Sequence, residues 1–264
     1  MKQEHNRATR MEAFGQLMDT LDVLRAECPW DKEQTNQSLR PLTIEETYEL
    51  SEALLKAAPA EICKELGDVL LHILFYAKIG SETNDFDIQD VCEQLNQKLI
   101  YRHPHIFATT QVADAREVEQ NWEKLKLKEK DGNRSVLAGV PESMPSLIKA
   151  FRMQDKARGV GFDWNKKEDV WDKVQEEIQE LQAEIDQMDA DRMESEFGDL
   201  FFSLVNAARL YQINPDNALE RTNHKFRRRF NDVEAATLGK GISMRDLTLG
   251  ELEDLWQDAK RKGL

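Results

Sequence analysis

The chain is built from segments in which apolar residues recur every three or four positions, the spacing of one face of an α-helix. No convincing run of alternating β-branched residues indicates a strand. Short striped helices joined by tight loops predict an all-α protein arranged as an antiparallel bundle. The predicted helices are Thr43 to about Ala57, one from Pro59 onward, Asp87 to Arg102, Glu168 to about Met188, Ala190 to Tyr211, one from Pro215 onward, and Asp246 to Lys260.

Two predicted helix starts carry side chains suited to capping. Thr43-Ile44-Glu45-Glu46 has the form of a capping box, in which a threonine and a glutamate three residues later satisfy the first free amides of a helix. Asn214 followed by Pro215 is typical of an N-cap and a first helical turn. Helices are therefore expected to begin at these two places.

An acidic pattern occurs twice in the chain. Glu45-Glu46-Thr47-Tyr48-Glu49 returns 131 residues later as Glu176-Glu177-Ile178-Gln179-Glu180, and Glu65-Leu66-Gly67-Asp68 returns at the same distance as Glu196-Phe197-Gly198-Asp199. This predicts two copies of a unit of about 130 residues, a usual domain size. The stretch 131–145 is rich in glycine and proline and predicts a linker, which gives units of residues 1–133 and 134–264.

The strong negative charge of the chain limits the kinds of molecule that it is expected to bind. The 264 residues carry a formal net charge of −14, which repels nucleic-acid polymers and anionic membrane surfaces. A phosphate ligand would therefore need local cations, and metal ions are one source. The three widely spaced cysteines and the polar N-terminus favour a cytoplasmic protein without a disulfide framework or a zinc site.

Each copy places two pairs of carboxylates at helical spacing. Glu177 and Glu180 are three residues apart, as are Glu196 and Asp199, so each pair shares one helix face. If the two helices are antiparallel neighbours, the pairs meet, and such a cluster is unfavourable without a cation. Oxygen ligands without His or Cys favour Mg²⁺, with Mn²⁺ as a possible substitute. A second possible metal site in the first copy comprises Glu46, Glu49, Glu65 and Asp68.

Other interpretations of these acids fit the sequence less well. A single Glu-x-x-Glu pair is most simply a solvated helix face, but its repetition in register argues against that. A di-iron bundle requires Glu-x-x-His, which the sequence lacks, and no P-loop motif is present. Gly67 and Gly198 precede the aspartates inside predicted helices, where glycine costs about 1 kcal/mol, so close helix packing beside the acids is expected.

At these residues the sequence resembles the MazG family of nucleoside triphosphate pyrophosphohydrolases. The Glu-Glu-x-x-Glu motif followed by Glu-x-x-Asp stands twice, and the strings Cys28-Pro29-Trp30-Asp31 and Arg102-His103-Pro104-His105-Ile106-Phe107 resemble the two-domain bacterial type. The likeness covers nearly the whole chain after about the first ten residues. It implies two tandem all-α bundles, usually a homodimer, and Mg²⁺-dependent hydrolysis of standard or altered nucleoside triphosphates to monophosphate and pyrophosphate.

The resemblance also implies that the second unit is the catalytic one and the first structural or weakly active. One residue difference agrees with this. Asn206 lies two helical turns beyond Asp199, whereas the corresponding residue of the first copy is Phe75. Asn206 is therefore a candidate substrate-binding residue, with an ordinary helix amide as the alternative.

The catalytic candidates are two acids and two cations. Glu177 is a metal ligand in this hypothesis, and Glu176 either completes the metal shell or takes a proton from the attacking water. Lys225 and Arg229 share a helix face and match Lys98 and Arg102 of the first copy at a spacing of 127. They are expected to grip the phosphates, with surface salt bridges as the alternative.

Trp256 and Lys260 complete the substrate-binding candidates. They lie four residues apart near the end of the chain, so the indole is placed to stack on a base and the lysine to reach a phosphate. Plain core packing of Trp256 is the alternative.

Two other functions stay open at this point. One is a related all-α pyrophosphatase acting on dUTP or phosphoribosyl-ATP, which the sequence does not separate from the leading hypothesis. The other is a non-enzymatic helical scaffold whose acidic clusters bind a basic partner.

Overall fold

The computed structural model describes residues 6–112, 135–239 and 241–264, together with positions 114, 117, 118, 121, 122 and 125. Its regular elements are helices, and no β-strand occurs within these residues. The all-α prediction is therefore confirmed. None of the described helices is long and apolar enough to cross a membrane.

The chain divides into two compact units, residues 1–110 (unit 1) and 111–264 (unit 2). The predicted boundary between residues 133 and 134 adjoins positions 131–134, which lie outside the described residues. That boundary stays a prediction.

Unit 1 consists of helices packed around a small apolar centre. Helix α3 packs along α4, and α4 also contacts α1 and α5. The centre contains Leu21 of α1, Leu39 of α3, and Leu74 and Phe75 of α4. The helices are α1 (Arg7–Glu27), α2 (Pro29–Glu33), α3 (Asn36–Leu55), α4 (Pro59–Glu82), α5 (Ile88–Arg102) and α6 (Pro104–Phe107).

Helix α3 begins seven residues earlier than the sequence predicts. Thr35 is the N-cap, and its side chain and that of Ser38 form the capping box that had been expected at Thr43. The prediction of a helix start at Thr43 is therefore wrong. Thr43 lies inside α3, where its hydroxyl donates to the Leu39 carbonyl over 3.0 Å. The helix accommodates Pro41 in its interior.

Arg25 ties three parts of unit 1 together. Its guanidinium donates to the Glu82 carboxylate at the end of α4 over two contacts of 2.9 Å. It also donates to the carbonyl oxygens of Asp31 and Gln34, which flank the end of α2. The turn after α1 is thereby held against the C-terminal end of α4.

Unit 2 contains a similar pair of long helices, which a helical hairpin follows. Helix α8 packs along α9, α7 contacts α9 and α10, and α10 packs against α11. Val170, Val174 and Ala207 form its buried centre. The helices are α7 (Ser146–Gly159), α8 (Val170–Gln187), α9 (Ala190–Leu210), α10 (Pro215–Leu238) and α11 (Leu249–Arg261), with 3₁₀ turns at Lys167–Asp169 and Met244–Asp246.

The connection between α8 and α9 is only two residues long. Met188 adopts the left-handed conformation with φ of 57°, and the Asp189 side chain accepts from the amide of Arg192. So short a link makes the two packed helices antiparallel. The helix starts at Pro59 and Pro215 are as predicted, and Asn214 is the N-cap of α10.

The expectation of close packing at two glycines is wrong. A Cβ atom added at Gly67 or Gly198 would meet no heavy atom within 4 Å. Both positions face open space beside the acids. A close approach does occur further along α4, where a Cβ at Gly80 would lie 2.9 Å from the Phe86 carbonyl oxygen.

Candidate active site

Three carboxylates of unit 2 converge from two helices. Glu177 comes from α8, and Glu196 and Asp199 come from α9, with one oxygen of each within 4.8 Å of the others. Glu177 is 5% exposed, Glu196 is half-buried and Asp199 is exposed. Glu180 lies one turn after Glu177 on α8 and is not part of this tight group.

The arrangement fits a hard divalent cation. Mg²⁺ binds oxygen at about 2.0–2.1 Å, so two ligands on opposite sides of one ion lie roughly 4.2 Å apart. The ligand oxygens of the three acids lie within 4.8 Å of one another, which is compatible with that value. Small side-chain adjustments of Glu177, Glu196 and Asp199 would therefore let them share one ion.

A lysine stands beside the cluster. The Lys173 ammonium lies 2.7 Å from Glu177 and 2.9 Å from Glu176, and all three side chains belong to α8. Hydrogen bonds to the two carboxylates raise the pKa of Lys173, and the bond to Glu177 has the larger effect. Lys173 is therefore positively charged at neutral pH. Glu176 is exposed and does not line the cavity described below.

The cluster is electrostatically unfavourable without a cation. Loss of solvent around Glu196 raises its pKa, and the charges of Glu180, Asp199 and Glu177 act in the same direction. Since a raised carboxyl pKa means that the charged form is disfavoured, added positive charge stabilises this group of acids.

A cavity of about 1090 Å³ opens beside the acids. Its lining includes Glu177, Glu180, Glu196 and Asp199, together with Lys173. Apolar residues line it as well. They come from α7, from the 161–165 loop and from α9: Met153, Ala157, Phe162, Trp164 and Phe202.

Asn206 also lines the cavity, held by a charged network. Its Oδ1 accepts from Arg209 Nε over 3.1 Å and from Arg209 Nη2 over 2.8 Å. Arg209 in turn pairs with Asp163 of the 161–165 loop. Burial would raise the pKa of Asp163, but hydrogen bonds from Arg209 and from the Trp164 amide outweigh it and lower that pKa. The loop is thus fixed to α9.

The predicted cationic and aromatic residues lie on the α10–α11 hairpin. None of Lys225, Arg229, Trp256 and Lys260 lines the cavity. Arg229 donates from Nε to the carbonyl oxygen of Leu264 over 2.7 Å, and its guanidinium carbon lies 5.8 Å from the centre of the Trp256 ring. Lys225 and Lys260 are exposed.

Unit 1 has a corresponding acid cluster with a different surrounding. Glu46, Glu49 and Glu65 approach one another within 4.8 Å. Lys64 lies 2.9 Å from Glu65 and 3.6 Å from Asp68. Loss of solvent, followed by the charges of the neighbouring acids, raises the pKa of Glu46. The second Glu65 oxygen is buried without a hydrogen-bond partner.

Several positions of unit 1 carry larger side chains than their counterparts in unit 2. Thr43 Oγ1 lies 2.9 Å from His72 Nδ1 and 2.6 Å from Tyr76 Oη. The corresponding residues 131 positions later are smaller or apolar: Val174, Ser203 and Ala207. Phe75, the counterpart of Asn206, is 3% exposed in the core. Unit 1 thus carries the large side chains of Phe75 and Tyr76 where unit 2 carries the smaller Asn206 and Ala207.

Sequence reasoning missed four side chains of this site. The sequence does indicate Lys173, because it precedes Glu177 by four residues and therefore lies on the same helix face. It also indicates Arg209, because this residue follows Asn206 by three residues on α9. Asp163 and Gln154 have no such signal. They lie on a loop and on α7, and only the packing of these elements brings them to the cavity.

Comparison with protein families gives a match in both halves of the chain. The matching family is described as the MazG nucleotide pyrophosphohydrolase domain, and the matched residues are 34–107 and 166–234. These segments contain both sets of converging carboxylates.

Several relatives match along most of the chain. The nucleoside triphosphate pyrophosphohydrolase of Escherichia coli K12 is 40% identical over 239 residues, which cover 89% of this chain and 91% of that protein. The nucleoside triphosphate pyrophosphohydrolase/pyrophosphatase MazG of Thermotoga maritima is 38% identical over 250 residues, covering 94% and 95%. The uncharacterised protein YabN of Bacillus subtilis is 44% identical over 88% of this chain, but over 48% of its own length.

Proposed function

The chain belongs to the MazG nucleotide pyrophosphohydrolase family, and we therefore propose that it hydrolyses nucleoside triphosphates to monophosphate and pyrophosphate with Mg²⁺ as cofactor. Membership confirms the predicted family, the tandem helical repeats and the enzyme class, a hydrolase. The observation that carries the proposed chemistry is the convergence of Glu177, Glu196 and Asp199 within 4.8 Å at the wall of a large cavity.

The acids of unit 2 have distinct roles in this proposal. Glu177, Glu196 and Asp199 would hold the cation, and Glu180 would join them from the next turn of α8. Magnesium bound there would supply positive charge that offsets the triphosphate and polarises the α-phosphate. Water attacks the α-phosphorus, the bond to the bridging oxygen breaks and pyrophosphate leaves. Glu176 either completes the metal shell or accepts the proton of the attacking water.

Cations of the chain complete the neutralisation of the phosphates. Lys225 and Arg229 are proposed to bind the phosphates farther from the metal, and Lys260 to assist them. Helix α10, which carries the first two, packs against α7, and α7 lines the cavity. Arg229 would exchange its hydrogen bond to the Leu264 carbonyl for a phosphate oxygen. Trp256 is proposed to stack on the base.

Further parts of the proposal concern the first unit and the whole protein. The acids Glu46, Glu49, Glu65 and Asp68 are a second possible metal site in a unit of structural or weak catalytic role. The protein is proposed to be a cytoplasmic homodimer. Size-exclusion chromatography with light scattering tests the dimer directly, since a mass of one chain contradicts it.

Product analysis tests the proposed reaction. The protein is incubated with each of the standard nucleoside triphosphates, with dUTP and with phosphoribosyl-ATP, with Mg²⁺ and with a chelator. Monophosphate and pyrophosphate formed only with the metal support the proposal. Diphosphate and phosphate would refute attack at the α-phosphorus. Turnover confined to dUTP or phosphoribosyl-ATP would assign the related pyrophosphatase, and no turnover would favour the scaffold.

A further inference from the structure

Phe162 is a highly exposed aromatic residue at the cavity of unit 2. It lines the cavity, and 83% of the residue is exposed. Two more aromatic residues line the same cavity, Trp164 and Phe202, which are 40% and 44% exposed. Large apolar side chains are mostly packed away from water, and a group of exposed ones at a cavity is typical of a ligand site. The three rings therefore offer a surface to a flat or apolar part of a ligand.

The backbone that carries Phe162 is held on both sides. The Phe162 amide donates to the Ala157 carbonyl oxygen of α7 over 3.0 Å. The next residue, Asp163, pairs with Arg209 of α9, whose side chain is only 7% exposed. Gly161 has a φ of 91°, a conformation that favours glycine. The ring is thus attached to an ordered turn, so a ligand that contacts it does not have to order the loop first.

The rings and the acids suit different parts of a nucleotide. Glu177, Glu196 and Asp199 attract a cation and, through it, phosphates. A phenyl ring has no group that binds a phosphate, but the flat face of any nucleobase stacks favourably on it. The cavity of about 1090 Å³ has room for both parts of a nucleotide. The base is therefore the part that suits Phe162.

We propose that Phe162 is a substrate-binding residue whose ring stacks on the base of a nucleoside triphosphate in the cavity. This rests on the proposed function in one respect, that the cavity holds such a nucleotide. Phe162 lines the cavity, whereas Trp256, the other residue proposed to stack on the base, does not. A base has two faces, so the two contacts are compatible with each other.

The test compares a ligand that has a base with one that lacks it. Calorimetry with Mg²⁺ measures binding of α,β-methylene-ATP, which resists cleavage at the α-phosphate, and of the same compound without adenine. Phe162→Leu keeps an apolar side chain but removes the aromatic face. It should weaken α,β-methylene-ATP about tenfold and leave the base-free compound unchanged. Phe162→Tyr keeps the ring and should bind both compounds as the unsubstituted protein does.

Phe107→Leu is the matched control, because Phe107 is a 60% exposed phenylalanine of unit 1. It should change neither affinity. Three results would overturn the proposal: equal weakening of the base-free compound by Phe162→Leu, no change in either compound, or an equal loss in Phe162→Tyr. Light scattering gives a fourth, since a smaller mass for Phe162→Leu than for the unsubstituted protein would assign the ring to a contact between copies of the chain.

A second measurement changes the ligand and begins with the unsubstituted protein. 5,6-Dihydrouracil keeps the polar edge of uracil, but its saturated ring is puckered and has no π face. The α,β-methylene triphosphate of uridine should therefore bind about tenfold more tightly than that of 5,6-dihydrouridine. In Phe162→Leu the difference should shrink to within about twofold, because both changes remove the same contact. Equal affinities in the unsubstituted protein, or a difference that persists in the variant, would overturn the proposal.

The outcomes separate this contact from the proposed reaction. Both measurements use ligands that are not cleaved, so a protein that binds in this pattern without releasing pyrophosphate would refute the reaction alone. Release of pyrophosphate together with unaltered binding by Phe162→Leu would refute the contact alone.

Discussion

Glu177 is the most buried carboxylate of the unit 2 cluster, and its charge is balanced by Lys173 at 2.7 Å. A buried charge that loses its partner destabilises a fold strongly. Lys173 therefore supports Glu177 when no cation is bound. The same ammonium repels a divalent ion that approaches the cluster, so the lysine and the metal compete for one carboxylate.

The first prediction concerns this competition. Lys173→Met should lower the melting temperature of the metal-free protein by a few degrees, since about 1 kcal/mol corresponds to roughly 2–4 °C in a protein of this size class. It should also enlarge the rise in melting temperature that Mg²⁺ produces. Thermal melts with and without Mg²⁺ check both effects, and Lys166→Met, at an exposed position outside the cavity, is the control. A smaller rise with Mg²⁺ would show that Lys173 supports metal binding.

The second prediction concerns Glu196 and pH. Its pKa is raised by loss of solvent and by neighbouring acids, so its ionised form lowers the stability of the folded state. Glu196→Gln should raise the metal-free melting temperature near pH 8, and the gain should vanish as the pH falls through the raised pKa, where Glu196 itself becomes neutral. With Mg²⁺ present, the variant should show a blunted rise in melting temperature.

Glu194→Gln serves as the control for that experiment, because Glu194 is an exposed residue of the same helix outside the cluster. It should melt as the unsubstituted protein does at each pH. A Glu196 variant with the full Mg²⁺-induced rise would remove Glu196 from the metal site.

At the scale of helices, the sequence predicts most elements but not all their starts. Regular spacing of apolar residues is a local property, so α4, α5, α8, α9 and α10 are found within a few residues. The start of α3 is missed because two sets of capping residues compete, Thr35 with Ser38 and Thr43 with Glu46. The structure uses the first set, and Thr43 instead contacts His72 and Tyr76 of α4.

The third prediction compares two glycines of the same helix. Gly80→Ala in α4 should destabilise unit 1 by about 1–3 kcal/mol, because its Cβ would lie within 2.9 Å of the Phe86 carbonyl oxygen. Gly67→Ala in α4 meets open space and should stabilise the unit by up to about 1 kcal/mol through helix propensity. Urea unfolding of the two variants measures both values. Loss of stability in Gly67→Ala would indicate packing that the structure does not contain.

The candidate site could be predicted only where its residues follow helical spacing. The acids recur at fixed intervals on two helices, and a short loop makes those helices neighbours, so their meeting follows from sequence. Gln154 and Asp163 come from elements whose packing has no local signal. Their place at the cavity depends on the contact of α7 with α9 and on the Arg209 pair.

At the scale of the whole molecule, the two copies of one unit have diverged in the space beside the acids. Unit 1 places Phe75 in its core and lets Tyr76 contact Thr43. Unit 2 has Asn206 and Ala207 at these positions and a cavity of about 1090 Å³. Similar carboxylate clusters therefore stand in different surroundings, and the cluster of unit 2 adjoins a volume suited to a nucleotide.

The fourth prediction follows from that difference. Glu196→Gln should lower kcat for nucleoside triphosphates by at least about 100-fold, since even outer groups of a metal site are worth 10–100-fold. Glu65→Gln, the matching change in unit 1, should leave kcat within about twofold. Steady-state assays on both full-length variants check this. Equal losses would contradict the assignment of catalysis to unit 2.

The loop that lines the cavity gives the protein its own optical reporter. Trp164 of this loop lines the cavity, so a ligand that enters would lie near its indole. An occupant displaces water from the ring and changes its emission. Occupancy can therefore be followed in the unlabelled protein, with Trp164→Phe separating this signal from those of the other four tryptophans.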